Sequence, residues 1–405
     1  MNAKRIRGGL LLRQIALLLL LSLVLTAFSI SAGAIGISVD GAPVAFSDDL
    51  GQPFIDSAGR TQVPLRAVME QYGCEVDWDG ETRTATAEKD GITVSVPIGK
   101  REISVDGWTI PIDTAAQILN GRTYLPIRAV LEAFGAAVIW NGGTKTVDAH
   151  HPEAGDLQVH FIDVGQADCI LIRSGADAML IDAGDRDDAQ TIQAYLHAHG
   201  ISSLKYAVGT HAHADHIGSL SALLGAFTPS RLLLPAAKAT SKVYKTLLET
   251  AGGLSLVPYT PSFGETIPLG SVALTTVNAL KTNDLNNSSL MFRLVYGKTS
   301  FLFTGDAEAQ AEAAAIAAGA ALDSDVLKLG HHGSRTSSSP AFLNAVTPDY
   351  AVISCGTGNS YGHPHPETIE KLKSAGIAYF RTDEQGSITA ISDGTAIYWN
   401  VAPAS

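Results

Sequence analysis

The chain has 405 residues, 46% of them hydrophobic, which is long enough for two or three domains and a sizeable core. It carries 28 Lys+Arg against 40 Asp+Glu, a formal net charge of −12. That balance repels polyanions over most of the surface and argues against non-specific nucleic-acid binding; a nuclease would need a local basic groove.

Lys4, Arg5, Arg7 and Arg13 precede the apolar run "IALLLLLSLVLTAF" (15–28), and "SAGA" follows with Ala32 and Ala34 at A-x-A spacing. A basic segment, an apolar segment and a small-residue site together predict a signal peptide over 1–34, cleaved after Ala34. The run is shorter than the ~20 residues of a membrane span. No later stretch is apolar enough to span, so the expected mature protein is exported: secreted or associated with the cell envelope. Removing four basic residues and no acidic ones leaves 24 Lys+Arg against 40 Asp+Glu, a net charge of −16. Cys74, Cys169 and Cys355 are sparse, odd in number and without a C-x-x-C pair, so no disulfide scaffold is expected. Cys169 and Cys355 lie in apolar runs and read as small core residues.

Residues 36–149 hold an internal repeat. "GRTQVPLRAVMEQYGCEVDW" (59–78) returns as "GRTYLPIRAVLEAFGAAVIW" (121–140). Each unit reads as a turn, a short helix with apolar residues at helical spacing (Leu65, Val68, Met69, Tyr72), a glycine stop and a strand. "GITVSVPIGKREISVDG" (91–107) alternates like a hairpin. This block, assigned to 35–150, resembles the copper amine oxidase N-terminal-like domain, a stalk-type module of exported bacterial proteins. It shows no histidine cluster for copper; His150 and His151, beside Pro152, read as linker. The expected role is structural, with cell-wall contact as the expected partner. Arg66 and Arg128 read as caps or bridges within each repeat.

Beyond residue 155 short apolar runs closed by glycine or aspartate alternate with helical stretches, which indicates α/β layers with functional loops at strand ends. The chemistry concentrates in "GTHAHADHIGS" (209–219). In an extended loop residues two apart share a side, so His211, His213 and Asp215 converge and His216 follows. Imidazole and carboxylate suit zinc and similar ions. His211 and His213 would hold one metal; Asp215 and His216 a second.

This pattern resembles the metallo-β-lactamase fold over residues 157–400, and implies an αββα sandwich occupying 156–401. The resemblance makes Asp182 in "AMLIDAG" a supporting carboxylate and Asp306 in "FLFTGD" the carboxylate shared by both metals. "LKLGHHGS" offers His331 as the remaining ligand of the second metal, with His332 in support or on substrate. No histidine lies between His216 and His331, where the fold usually supplies a third one; "NDLNNSSLMFRL" (283–294) stands there instead. Together with "FIDVGQADC" (161–169), "NSYGHPHPE" (359–367) and "RTDEQGSI" (381–388), this resembles the hydrolase domain of ComEC-like competence proteins. Ser289 or Asn287 would then line the metal or bind substrate. Ala167 replaces the usual glycine, His213 stands where many of these domains carry aspartate, and the transporter pore is absent.

The resemblance implies metal-assisted hydrolysis with one or two divalent ions, zinc first and manganese as the alternative. Asp215 would orient the hydroxide and His363, or His365, would protonate the leaving group, while Gln166 and Asp168 support the ligands. The substrate expected is a phosphodiester, with nucleic acid left open by the acidic surface. A lactone, a β-lactam or a choline-phosphate ester is the alternative, and a non-catalytic wall-binding protein the third reading.

Overall fold

The computed structural model describes residues 35–47, 49–153 and 155–404; the expected signal peptide lies outside them. Both repeats fold as their spacing dictates. The helices Leu65–Gln71 and Ile127–Ala133 bury Leu65, Val68 and Met69, and Ile127, Val130 and Leu131, one apolar stripe each. Both stop at glycines in the left-handed region, Gly73 (φ +88°) and Gly135 (φ +84°), where side chains are strained. The strands Glu75–Asp79 and Ala137–Asn141 follow. The alternating stretch forms the antiparallel pair Ile92–Pro97 and Glu102–Val105. One apolar core holds this block together.

The larger part is built on two seven-stranded sheets. The first runs in the order Arg231–Leu233, Tyr206–Val208, Asp177–Ile181, Ile170–Ser174, Leu157–Phe161, Ile388–Ser392, Ile397–Trp399. The second runs Thr266–Leu269, Val272–Thr276, Phe292–Tyr296, Thr299–Phe303, Val326–Lys328, Tyr350–Ile353, Ala378–Arg381. Strand side chains alternate between faces, and here both faces are apolar. Ile181 and Met179 point inward to meet Phe301 and Phe303 of the other sheet. Leu180 and Ala178 point outward, under the helices Ala189–Ala198, Leu220–Phe227 and Lys242–Gly253. The second sheet's outer face packs likewise under Ala309–Ala317, Pro340–Val346 and Pro366–Ala375. The result is the four-layer αββα order. Each Phe buried between the sheets contributes about 1.5–3 kcal/mol.

The block before residue 150 packs directly on this sandwich. Trp108 stacks on His197 with ring centroids 3.8 Å apart, and His150 stacks on Tyr398 at 3.7 Å. His150 and His151 are therefore joint residues rather than loose linker: His150 ends the strand Thr146–His150, and His151 Nδ1 lies 2.9 Å from the Tyr72 hydroxyl. Cys74, Cys169 and Cys355 are all buried free thiols.

Candidate metal centre

The residues singled out by their chemistry gather at one end of the sandwich, where parallel strands of both sheets terminate. The strand Tyr206–Val208 leads into Gly209, where a Cβ would sit 2.7 Å from Ile217 Cγ2. The chain then turns through Thr210–His213 into the short helix Ala214–Ile217. Gly218 closes it against two backbones: a Cβ there would lie 2.4 Å from both the Ala214 carbonyl oxygen and the Asp185 carbonyl carbon. The strand Thr299–Phe303 delivers Asp306 from the facing sheet. Val326–Lys328 delivers the two histidines of Gly330–Gly333, His331 and His332, at φ +52° and +53°. Non-glycine residues occupy that left-handed region at a cost that surrounding contacts must offset.

Among the described residues three groups have donor atoms within 4.8 Å of one another, one of them the supporting set Asp168, Asp182 and His216; the other two share Asp306. His211, His213 and Asp306 form one; Asp215, His216, Asp306 and His332 form the other. Asp306 belongs to both, with Oδ2 3.7 Å from His211 Nε2 and Oδ1 3.1 Å from His216 Nε2. His331 was expected to complete the second group; His332 is the histidine that falls within it. His332 is buried, with Nε2 3.4 Å from Asp215 Oδ2 and 3.8 Å from Asp306 Oδ1. The His331 side chain stays 25% exposed at the rim, its Nδ1 held by Glu308 at 3.2 Å and its Nε2 3.7 Å from Asp306 Oδ2.

The supporting carboxylates behave differently from one another. Asp182 accepts hydrogen bonds from the Thr210 amide, the Thr210 hydroxyl and His216 Nδ1, all at 2.7 Å. Asp168 accepts from the Lys328 ammonium at 2.8 Å, and its other oxygen lies 3.2 Å from His332 Nδ1, which donates to the Ser354 carbonyl at 3.0 Å. Fixing the outer nitrogen of an imidazole leaves the inner one to face an ion. Lys328 was not anticipated; its only sequence signal is a lysine inside the apolar strand "VLKLG".

Of the two candidates in the 283–294 segment, Ser289 reaches the cluster. Its Oγ accepts from the Asp306 amide at 3.1 Å and lies 3.4 Å from His211 Nδ1. Asn287 does not: its side chain accepts from the Ala311 amide and donates to Asp284. Gln166 donates to His363 Nδ1 at 3.2 Å and accepts from the Gly356 amide. This tautomer leaves the proton of His363 on Nε2. Burial and the neighbouring His332, His331 and His365 push His363 down to about 4, so at neutral pH it donates as a neutral ring. His365 Nδ1 instead accepts from the Arg335 amide and lies at the start of the helix Pro366–Ala375, a structural placement.

Burial disfavours the charge of Asp306, yet His216, His332 and His211 hold its carboxyl well below the usual range. Burial also opposes a charged His332, but Asp306 and Asp168 hold its proton up to about 10. Protons on the histidines thus balance carboxylates that water cannot reach. A cation is the better counter-charge. His216 Nε2, Asp306 Oδ1 and His332 Nε2 are buried without a well-formed hydrogen bond and face one another, Asp306 Oδ1 lying 3.1 Å from His216 Nε2 and 3.8 Å from His332 Nε2. An orphaned buried polar atom costs about 1–3 kcal/mol, more if charged. Three of them in one ligand group fit a divalent ion.

Comparison with known proteins agrees with this architecture. Residues 38–149 match the copper amine oxidase N-terminal domain, and residues 162–357 match the metallo-beta-lactamase superfamily. ComE operon protein 3 of Bacillus subtilis (strain 168) is 29% identical over 57% of this chain and 32% of its own length. Competence protein ComA of Neisseria gonorrhoeae is 32% identical over 59% of this chain and 33% of its own. The chain therefore spans about a third of the length of these relatives. Among solved structures, the metallo-beta-lactamase fold protein YhfI from Bacillus subtilis aligns over 56% of this chain and 95% of its own, with 12% identity and a TM-score of 0.38. Residues 162–357 thus form a metallo-beta-lactamase superfamily domain, related to those of competence proteins and preceded by a copper amine oxidase N-terminal domain.

Proposed function

We propose that the chain is an exported metal-dependent hydrolase that cleaves phosphodiester bonds. The observation that carries the reading is Asp306 shared between two ligand groups, with His216 Nε2, Asp306 Oδ1 and His332 Nε2 buried and lacking hydrogen bonds. His211, His213 and Asp306 would hold one divalent ion; Asp215, His216, Asp306 and His332 the other. Such ions, zinc or manganese, would supply charge to polarise the scissile bond and bring the pKa of a water toward ~7.

The chain's own residues do the rest. Asp215, whose side chain is 32% exposed, would orient the attacking water and take its proton. Asp182 with Thr210 fixes His216, and Lys328 with Asp168 fixes the place of His332. His363, held by Gln166, would donate a hydrogen bond from Nε2 to the departing oxygen, whose proton would come from solvent. Export rests on the composition of residues 1–34, and wall contact on the N-terminal block. DNA uptake is not carried over from the competence proteins, since this chain covers a third of them.

The test is hydrolysis of bis(p-nitrophenyl) phosphate by metal-free protein and after restoring zinc or manganese, with Asp215→Ala as control. Metal-dependent turnover that the substitution abolishes supports the reading. Its absence in folded, metal-loaded protein moves the substrate to another ester.

A further inference from the structure

Beside the metal centre lies a cleft of about 770 Å³. It opens next to Leu233, at the end of the strand neighbouring Tyr206–Val208, and runs past the ends of Val272–Thr276 and Phe292–Tyr296. Its inner wall includes Ser289, the residue that also contacts His211 and Asp306. The cleft and the centre therefore share a wall, and that wall is the segment standing where the fold usually carries a histidine.

The lining differs in kind from the centre. Carboxylates and imidazoles are absent from it, and Lys281 is its single charged residue. Amide and hydroxyl residues, Asn278, Asn283 and Thr276 among them, alternate with an equal number of apolar ones. Asn278 is committed to the wall, donating to the Asn287 and Ser289 carbonyls at 3.0 and 2.8 Å. Thr276 Oγ1 is buried and has no hydrogen-bond partner. Phe263 is 45% exposed at the cleft. An ammonium with no partner among the described residues, neutral polar groups and an open aromatic face suit a neutral ring-bearing group attached to a phosphate. They do not suit a run of phosphates, which would call for more cations.

We propose that this cleft binds the nucleoside retained on the phosphate after cleavage, with Phe263 against the base and Lys281 near the phosphate. The inference rests on the phosphodiesterase reading and narrows it to substrates with a nucleoside beside the scissile bond: short or terminal ones rather than long polyanions. Base–aromatic stacking is worth enough to change affinity by roughly 5- to 150-fold per contact.

The experiment uses the full chain loaded with manganese. Thymidine 5′-(p-nitrophenyl) phosphate and bis(p-nitrophenyl) phosphate are compared by kcat/KM, in wild type and Phe263→Ala. Binding of thymidine 5′-monophosphate is measured alongside by calorimetry. The expected result is a preference of about 10-fold or more for the thymidine ester, lost together with monophosphate affinity in Phe263→Ala. Turnover of both esters without preference, or a preference that survives the substitution, overturns the cleft assignment and leaves the phosphodiesterase reading standing. No turnover of either ester overturns the phosphodiesterase reading. In that case monophosphate binding weakened by Phe263→Ala still supports the cleft, and no binding overturns it as well.

Discussion

Lys328 and Asp168 form an ion pair at 2.8 Å, with the two side chains 0% and 1% exposed. Water reaches neither charge. Breaking a buried pair by removing one partner typically costs about 3–5 kcal/mol, because the other charge is left uncompensated. Lys328→Met is expected to destabilise metal-free protein by that amount in urea unfolding. Adding Asp168→Asn to Lys328→Met should recover part of the loss, since the stranded carboxylate is then neutral.

The two adjacent histidines should separate cleanly. His332→Ala is expected to lose tight binding at one metal position, and His331→Ala to keep it. Isothermal titration with zinc after chelation checks this. Equal losses in the two variants would contradict the placement of His332 inside and His331 at the rim.

Backbone clearance around the ligand loop gives a third outcome. Gly218→Ala places a methyl against the backbones of Ala214 and Asp185. The expected cost is about 3 kcal/mol, the upper end for overpacking, read as a lowered midpoint of thermal unfolding. A variant as stable as wild type would show that the loop can move aside.

The joint between the two parts carries a pH dependence. Glu132 lines a cavity of about 60 Å³ with His160, Tyr195, His199 and Asn400. Burial, against the opposing influence of Arg128 and a hydrogen bond with Asn400, lifts its carboxyl from 4.5 to about 7. The folded protein thus keeps this proton over a range where the unfolded chain has released it. The stability is fully present below pH 4.5 and is lost as pH rises through 7, by at most about 3 kcal/mol. Glu132→Gln should remove that slope, so wild type falls relative to the variant between pH 5 and pH 8 in thermal melts. Parallel profiles would contradict it.

Much of this was legible in residue order, for stated reasons. Gly73 and Gly135 mark helix ends because few other residues accept their backbone angles. The spacing of His211, His213, Asp215 and His216 places ligands on one loop because that loop is short and local. The choice between His331 and His332 was not legible: both sit on one left-handed turn, and which ring faces inward depends on Asp168, far back in the chain. Lys328 was hidden for the same reason, its partner being 160 residues away. The joint was hidden too, since the stacking of Trp108 on His197 has no local signature.

Asp306 is shared by two ligand groups at one end of the sandwich. The most direct test is metal content by mass spectrometry of wild type, Asp306→Ala and Asp306→Asn after loading with zinc or manganese, with folding followed by circular dichroism. Bound metal is expected in wild type, with loss from both positions in the two variants while the fold persists. Folded variants that retain the wild-type metal content would contradict it.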